Sequence, residues 1–275
     1  MAQFGLPALH GLLIWWFSTG LILVLDGLPT RTFRWSMAAA TAVLIVSVFG
    51  LVSSASDTSV TGAYTAFTCA VLIWGWLEIS FYMGFVTGPR THHCKHGCSG
   101  WRHFGHAVQA SLYHEIAVLV LAATVIGLTW RGSNHFGTWT FIVLWWMHQS
   151  ARLNVFLGVS NLNAEFLPEH LAHIRSFFRS APMNLLFPFS VTLSTIAAVL
   201  LAERAFGAAD LFRRTGYTLV TTMMVLAILE HWFLVLPVSA AKLWNGLWQW
   251  SLGVRGKPAG APRPTTKQAT IGGRP

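Results

Sequence analysis

Charge is what this chain has least of. Charged residues fill only 10% of its 275 positions, against about 25% in soluble domains. With 54% hydrophobic residues and a mean hydropathy of +0.54, a soluble globular fold is excluded, and no stretch is left over for a separate soluble domain. Cysteine is scarce too. Cys69, Cys94 and Cys98 are odd in number and have no long extramembrane domain to cross-link, which excludes a disulfide framework. No nucleophile elbow, phosphate loop or dinucleotide fingerprint is present. No internal repeat is visible, which weakens a transporter built from two related halves. Basic residues are not scarce, and the net charge is +9. They sit in short loops and the C-terminal stretch rather than along one helix face, so nucleic acid is not the expected partner.

What is present is a series of apolar runs of bilayer-spanning length, which takes about 20 residues. The expected fold is all-α: a polytopic membrane bundle of about seven transmembrane helices plus one interfacial helix. The helices are predicted at about 6–25, 35–53, 62–86, 111–130, 138–158, 182–202 and 217–241. The first run lacks basic residues before it and a small-residue cleavage pattern after it, so it is read as a retained helix rather than a signal peptide. In 168–179, Leu171, Ile174 and Phe178 recur every three or four positions while Glu169, His173, Arg175 and Arg179 take the other side. That pattern predicts a helix lying in the membrane interface. Residues 1–252 form the expected membrane domain. Residues 253–275, rich in Gly, Pro, Thr and Lys/Arg, lack what a core needs and are expected to be a disordered cytoplasmic tail. One set of alternate loops and the tail hold thirteen Lys and Arg and the other set four. The positive-inside rule then puts the N-terminus in the periplasm and the C-terminus in the cytoplasm, with Trp244, Trp248 and Trp250 in the cytoplasmic aromatic belt.

The chain is organised around LWWMHQSARLNVFLGVSNLNAEFLPEHL, residues 144–171. His148, Arg152 and Asn154 stand there at positions expected to be apolar, followed by Glu165, Glu169 and His170. A charge at the bilayer centre costs roughly 2.5–3.5 kcal/mol on insertion scales, so these side chains need a protein interior, a cavity or a partner. At a rise of about 1.5 Å per residue, Glu78, His114, Glu115, His148, Arg152, Glu230 and His231 fall in one slab of the inner half-membrane. Tyr82 shares a helix face with Glu78 at i, i+4. The set Glu78, His114, Glu115, His148, Glu230 and His231 suits one or two ions of iron, zinc or manganese. The paired Glu-x-x-His motifs of soluble di-iron bundles are absent. Neighbours such as His114 and Glu115 lie about 100° apart around a helix, so joint ligation is not given. Two other readings stay open. One is a buried salt-bridge network in which Arg152 pairs with Glu78 or Glu230. The other is a pigment or quinone pocket, with His148 or His10 on the magnesium of a chlorophyll.

The stretch from His92 to His106 holds two cysteines and five histidines. Its C-x-x-x-C spacing resembles a zinc loop only loosely, since zinc motifs pair their ligands more tightly. A basic, His-rich loop touching anionic headgroups is the plainer reading. Cys69, Met223 and Met224 read as packing residues.

The segment WWMHQSARLNVFLGVSNLNAEFLPEHL, together with LEISFYMGFVTGPR in helix three and the loop after it, closely resembles the photosynthetic complex assembly protein 2 family (PuhE type) of phototrophic proteobacteria. The likeness extends from about Pro7 to Trp250. It implies an inner-membrane (intracytoplasmic membrane) assembly factor for the bacteriochlorophyll-based reaction centre and core antenna, acting through pigment supply or subunit insertion. Its expected partners are membrane lipid, reaction-centre or core-antenna subunits and pigment-synthesis proteins. The resemblance carries over no catalytic residue and leaves open whether the protein is an enzyme. The alternative is a membrane metalloenzyme acting on a lipophilic substrate such as a tetrapyrrole, with Arg152 holding an anionic group. Arg152, Asn154, Tyr82, Glu165 and His170 complete the candidate polar or ligand-binding set.

Overall fold

The computed structural model describes residues 2–94, 97–162 and 167–236. Glu165, Trp244, Trp248, Trp250 and the 253–275 stretch lie outside them. Seven long α-helices are described: α1 (Ala2–Asp26), α2 (Phe33–Ser54), α3 (Val60–Tyr82), α4 (Gly100–Thr129), α5 (Phe136–Leu157), α6 (Leu186–Gly207) and α7 (Leu211–Phe233). Each has at least 22 residues, or about 33 Å at 1.5 Å per residue, enough for a hydrocarbon core of about 30 Å. Of the seven, α1, α2, α3, α4 and α6 each contain an apolar window long enough for a membrane span by composition alone. The helices α5 and α7 are as long but carry the polar residues.

Packing divides the helices differently. The helix α3 packs against α1, α2, α4, α5 and α7, and α7 packs against α1, α3, α5 and α6. Ala63, Ala66, Phe67, Ala70, Val71, Ile73, Trp74 and Leu77 of α3 are buried, a face too wide for a lipid-exposed helix. One core joins Phe67 and Val71 to Val143, Met147, Leu219 and Met223; a second joins Leu77 to Val118, Val125 and Phe141. By contrast, Phe17 of α1 and Ile45, Val46 and Phe49 of α2 point outward and form the lipid-facing wall. Helices in lipid pack closely where small residues let backbones approach. A Cβ on Gly137 would meet the Leu51 side chain and the Ala66 carbonyl, and one on Gly216 would collide with the Phe136 ring.

The ends of the elements differ from the apolar runs, for local reasons. The helix α3 stops at Tyr82 rather than near residue 86, because Gly84 turns the chain at φ 80°. The helix α4 begins at Gly100, eleven residues before its apolar run. Asp210 starts α7 early by accepting a hydrogen bond from the Arg213 N–H at 2.7 Å. The α6 start is delayed to Leu186, where Asn184 Oδ1 accepts from the Leu186 and Phe187 N–H groups. The interfacial segment is a 3-10 helix, Glu169–Phe177, with Leu171, His173 and Phe177 buried. His173 thus turns inward instead of lying on the polar face.

Three asparagines join the element ends. Asn134, in the turn before α5, donates through Nδ2 to the carbonyls of Ser54, Asp57 and Gly62 at 3.1, 3.2 and 2.9 Å. Its Oδ1 accepts from the Phe136 N–H at 3.2 Å. Asn161 donates to the Phe233 and Leu236 carbonyls at the end of α7, and Asn184 to those of Asn154 and Gly158 at the end of α5. In lipid, every backbone polar group must find a partner inside the protein, and these side chains supply partners where the helical ladder ends.

Candidate functional site

The helices α3, α4 and α5 each place one ligand-type side chain at a single point. Glu78, His114 and His148 offer ligand atoms that all lie within 4.8 Å of one another. His148 Nδ1 is 3.3 Å from Glu78 Oε1, and the two imidazole rings are 5.7 Å apart. Trp74, one turn before Glu78, meets the His148 ring edge-on at 5.3 Å, and Phe81 lies 4.8 Å from the His114 ring. These aromatic contacts hold both imidazoles, and His148 Nδ1 faces Glu78. Glu78 Oε1, both nitrogens of His114 and His148 Nε2 are buried without a hydrogen bond. His114 is 1% exposed. An unpaired buried polar atom costs about 1–3 kcal/mol, and both nitrogens of His114 and His148 Nε2 are of that kind.

A second layer adjoins this trio. Arg152 of α5 forms an ion pair with Glu115 of α4 and bonds to Ser111 Oγ, while Gln149 Nε2 donates to the other Glu115 oxygen. The Arg152 guanidinium also lies 5.9 Å from the centre of the Phe81 ring. This network takes Glu115 and Arg152 out of the ligand set. Arg152 pairs with Glu115, not with Glu78 or Glu230. Ser111 and Gln149 were not singled out from the sequence, although Ser111 stands i, i+4 from Glu115 and Gln149 i, i+3 from Arg152, on shared faces.

The other expected ligands are placed elsewhere. Both nitrogens of His231 are occupied: Nδ1 pairs with the Ala227 carbonyl and Nε2 with Ser150 Oγ, each at 2.9 Å. Glu230, the next residue, faces outward and accepts from Trp15 Nε1 at 3.1 Å. Asn154 is fully buried and donates to Ser190 Oγ and the Ser150 carbonyl, leaving its Oδ1 unpaired. His170 Nε2 lies 2.7 Å from the Tyr82 carbonyl oxygen, which ties the 3-10 helix to the end of α3. His10 bonds to Thr68 Oγ1 at 3.0 Å and serves the packing of α1 on α3. Asp26, at the end of α1, has a buried oxygen without a hydrogen bond and carried no distinguishing signal in the sequence beyond its helix-terminal place.

The arrangement can do one thing well. Two imidazoles and a carboxylate on three rigid helices are a 2-His-1-carboxylate donor set of the kind that suits iron, zinc or manganese. A single imidazole of the pair suits the magnesium of a chlorin.

A family model described as a protein of unknown function (DUF3623) matches residues 1–259. The chain is also 42% identical over 244 residues to an uncharacterized 30.4 kDa protein in the puhA 5' region of Rhodobacter capsulatus, covering 87% of this chain and 89% of that protein. No solved structure matches the chain.

Proposed function

The chain belongs to the DUF3623 family, and from that premise we propose that it is an inner-membrane assembly factor for a bacteriochlorophyll-based reaction centre and its core antenna. It acts through pigment supply or subunit insertion. The resemblance of residues 144–171 to photosynthetic complex assembly proteins supports this, as does a relative named for the puhA 5' region. The observation that carries the reading is the Glu78–His114–His148 trio. A scaffold that only bridged partner subunits would have no use for two imidazoles and a carboxylate gathered inside its own core with imidazole nitrogens left unpaired. The trio is a holding site, and what it holds is a metal ion or the metal of a tetrapyrrole. Arg152 sets the electrostatics beside it, and Glu115, Ser111 and Gln149 hold Arg152 in place.

The basic residues orient the molecule with its N-terminus in the periplasm and its C-terminus in the cytoplasm. A membrane metalloenzyme is the second reading, favoured by the 2-His-1-carboxylate composition of the trio. In that case Arg152 is not the anion grip, because Glu115 already neutralises it.

A deletion strain tests the first reading. Reaction-centre and core-antenna absorbance in its membranes should fall well below wild type, and normal levels would sink the proposal. His148→Ala and Glu78→Gln then separate the two readings. If the trio holds an ion, either change lowers its affinity by at least about 10–100-fold, the cost of disturbing even an outer-shell partner. Elemental analysis of protein purified in mild detergent without a metal-binding tag measures this. Loss of metal and of function at unchanged protein abundance shows that the protein acts through the trio, and build-up of an unconverted pigment precursor then selects the enzyme. Retained function would overturn the trio as the holding site.

A further inference from the structure

Outside the membrane-centred trio, a second group of ligand-type side chains gathers where the segment after α3 enters α4. Cys94, Cys98, His103 and His106 follow the spacing C-x3-C-x4-H-x2-H. His106 Nδ1 lies 3.4 Å from Cys94 Sγ and 3.3 Å from Cys98 Sγ. The ligand atoms of these three residues are all within 4.8 Å of one another. His103, one helical turn before His106, places Nδ1 3.3 Å from Cys94 Sγ. Gly97 and Gly100, at φ 80° and 61°, make the left-handed turns that fold the cysteine pair back over the first turns of α4.

We propose that Cys94, Cys98 and His106, with His103 on Cys94, form a zinc site that clasps this segment to the start of α4. The decisive feature is that two sulfurs approach one ring nitrogen together. An imidazole nitrogen has one in-plane direction and serves one hydrogen bond well. Two sulfurs at nearly equal distance from it are instead neighbouring corners of a tetrahedron around a shared centre. With Zn–S near 2.3 Å and Zn–N near 2.0–2.1 Å, tetrahedral geometry sets the S···N separation at about 3.6 Å. The observed distances are shorter by only a few tenths of an ångström.

The surroundings give the clasp a purpose. The His103 ring stacks on Phe156 at the end of α5, with centroids 5.5 Å apart, and lies 5.3 Å from Phe177 of the 3-10 helix. The Cys94 N–H donates to Ser176 Oγ at 3.1 Å. One ion here would tie together the loop, α4, α5 and the 3-10 helix. It would also fix α4 lengthwise, and His114 and Glu115 lie on that helix only about 12–14 Å beyond His106.

The test uses the full chain in mild detergent, purified without a metal-binding tag, and the probes are zinc and cobalt(II) alone. The protein should retain about one equivalent of zinc at this site, held by the two sulfurs and the His106 nitrogen with a water as fourth ligand. Replacing zinc by cobalt should produce a near-ultraviolet thiolate-to-cobalt charge-transfer band. Cys98→Ser and His106→Ala should abolish that band. His103→Ala should weaken cobalt binding about 10–100-fold, as loss of a ligand's partner does. His148→Ala should leave the band intact, because the Glu78–His114–His148 trio contains no sulfur. Folded wild-type protein that shows no thiolate–cobalt band overturns the proposal without recourse to any variant. So does a band that survives in the Cys94→Ser, Cys98→Ser double variant. Either failure leaves the proposed assembly function standing, since that rests on the trio and on reaction-centre levels.

Discussion

At the residue scale, neighbours in sequence take opposite roles. His231 is buried with both ring nitrogens bonded, while Glu230 faces outward to Trp15. The sequence marks both as ionisable groups in an apolar helix but carries no phase, and a step of about 100° per residue decides which one enters the bundle. The trio was legible as residue types for the same reason that its membership was not. Glu78, His114 and His148 stand out from apolar surroundings, yet only packing shows that Arg152 removes Glu115 from the set. Asn134 was not legible at all. It reads as a loop asparagine, and its importance lies in three carbonyls contributed by residues more than 70 positions away. Asn134→Ala should cost on the order of 3 kcal/mol, since buried carbonyls lose their donors. Denaturant titration in detergent checks this, and a change below about 0.5 kcal/mol, the scale of an inert surface substitution, would show that the turn holds without it.

At the scale of elements, hydropathy found the seven helices and misplaced their ends. A run of apolar residues measures how much helix lies in lipid, not how much helix there is. The first eleven residues of α4, from Gly100 to Ala110, are helical yet carry Arg102, His103, His106 and Gln109, so they fall outside any apolar window. Helix starts are governed by capping side chains, and the turn before α3 shows how such a start responds to pH. Asp57 Oδ1 accepts from the Ser59 N–H at 2.8 Å. That backbone bond, then the Ser59 hydroxyl, holds the Asp57 carboxyl below its ordinary value of 3.8. A depressed carboxylate stabilises the folded turn above pH 3.8 and loses that contribution as the pH falls through the lowered value. Amide protection factors across residues 55–62, with the intrinsic pH dependence of exchange divided out, should therefore fall on acidification below that point, and Asp57→Asn should flatten the dependence. An unchanged pH profile in the variant would assign the effect to another group.

At the scale of the whole molecule, the chain separates into an apolar wall and a polar seam. Much of α1 and α2 faces outward, while α3, α5 and α7 build the interior. This could be read in part, because the apolar run 35–53 lacks any ionisable residue and the helices with polar groups had to meet. Which helix sits at the centre could not, since a mean hydropathy of 1.4 for α3 records its composition and not the breadth of its buried face. The orientation proposed from thirteen basic residues against four predicts that reporter fusions at the α2–α3 and α4–α5 turns report the periplasm. A fusion between α3 and α4 should report the cytoplasm. The opposite pattern would invert the molecule and place the Cys94–His106 group in the periplasm.

The three asparagine bridges also bear on how the molecule yields to force. Asn134 ties the turn before α5 to the one between α2 and α3, Asn184 ties the start of α6 to the end of α5, and Asn161 ties the chain after α5 to the end of α7. A pull on the C-terminal side loads the Asn161 bridge before α7 can leave, and with it the chain that follows α5. Extraction from a bilayer should then proceed in a few large steps, each releasing more than one helix, and the bridges rather than the apolar faces set where those steps fall.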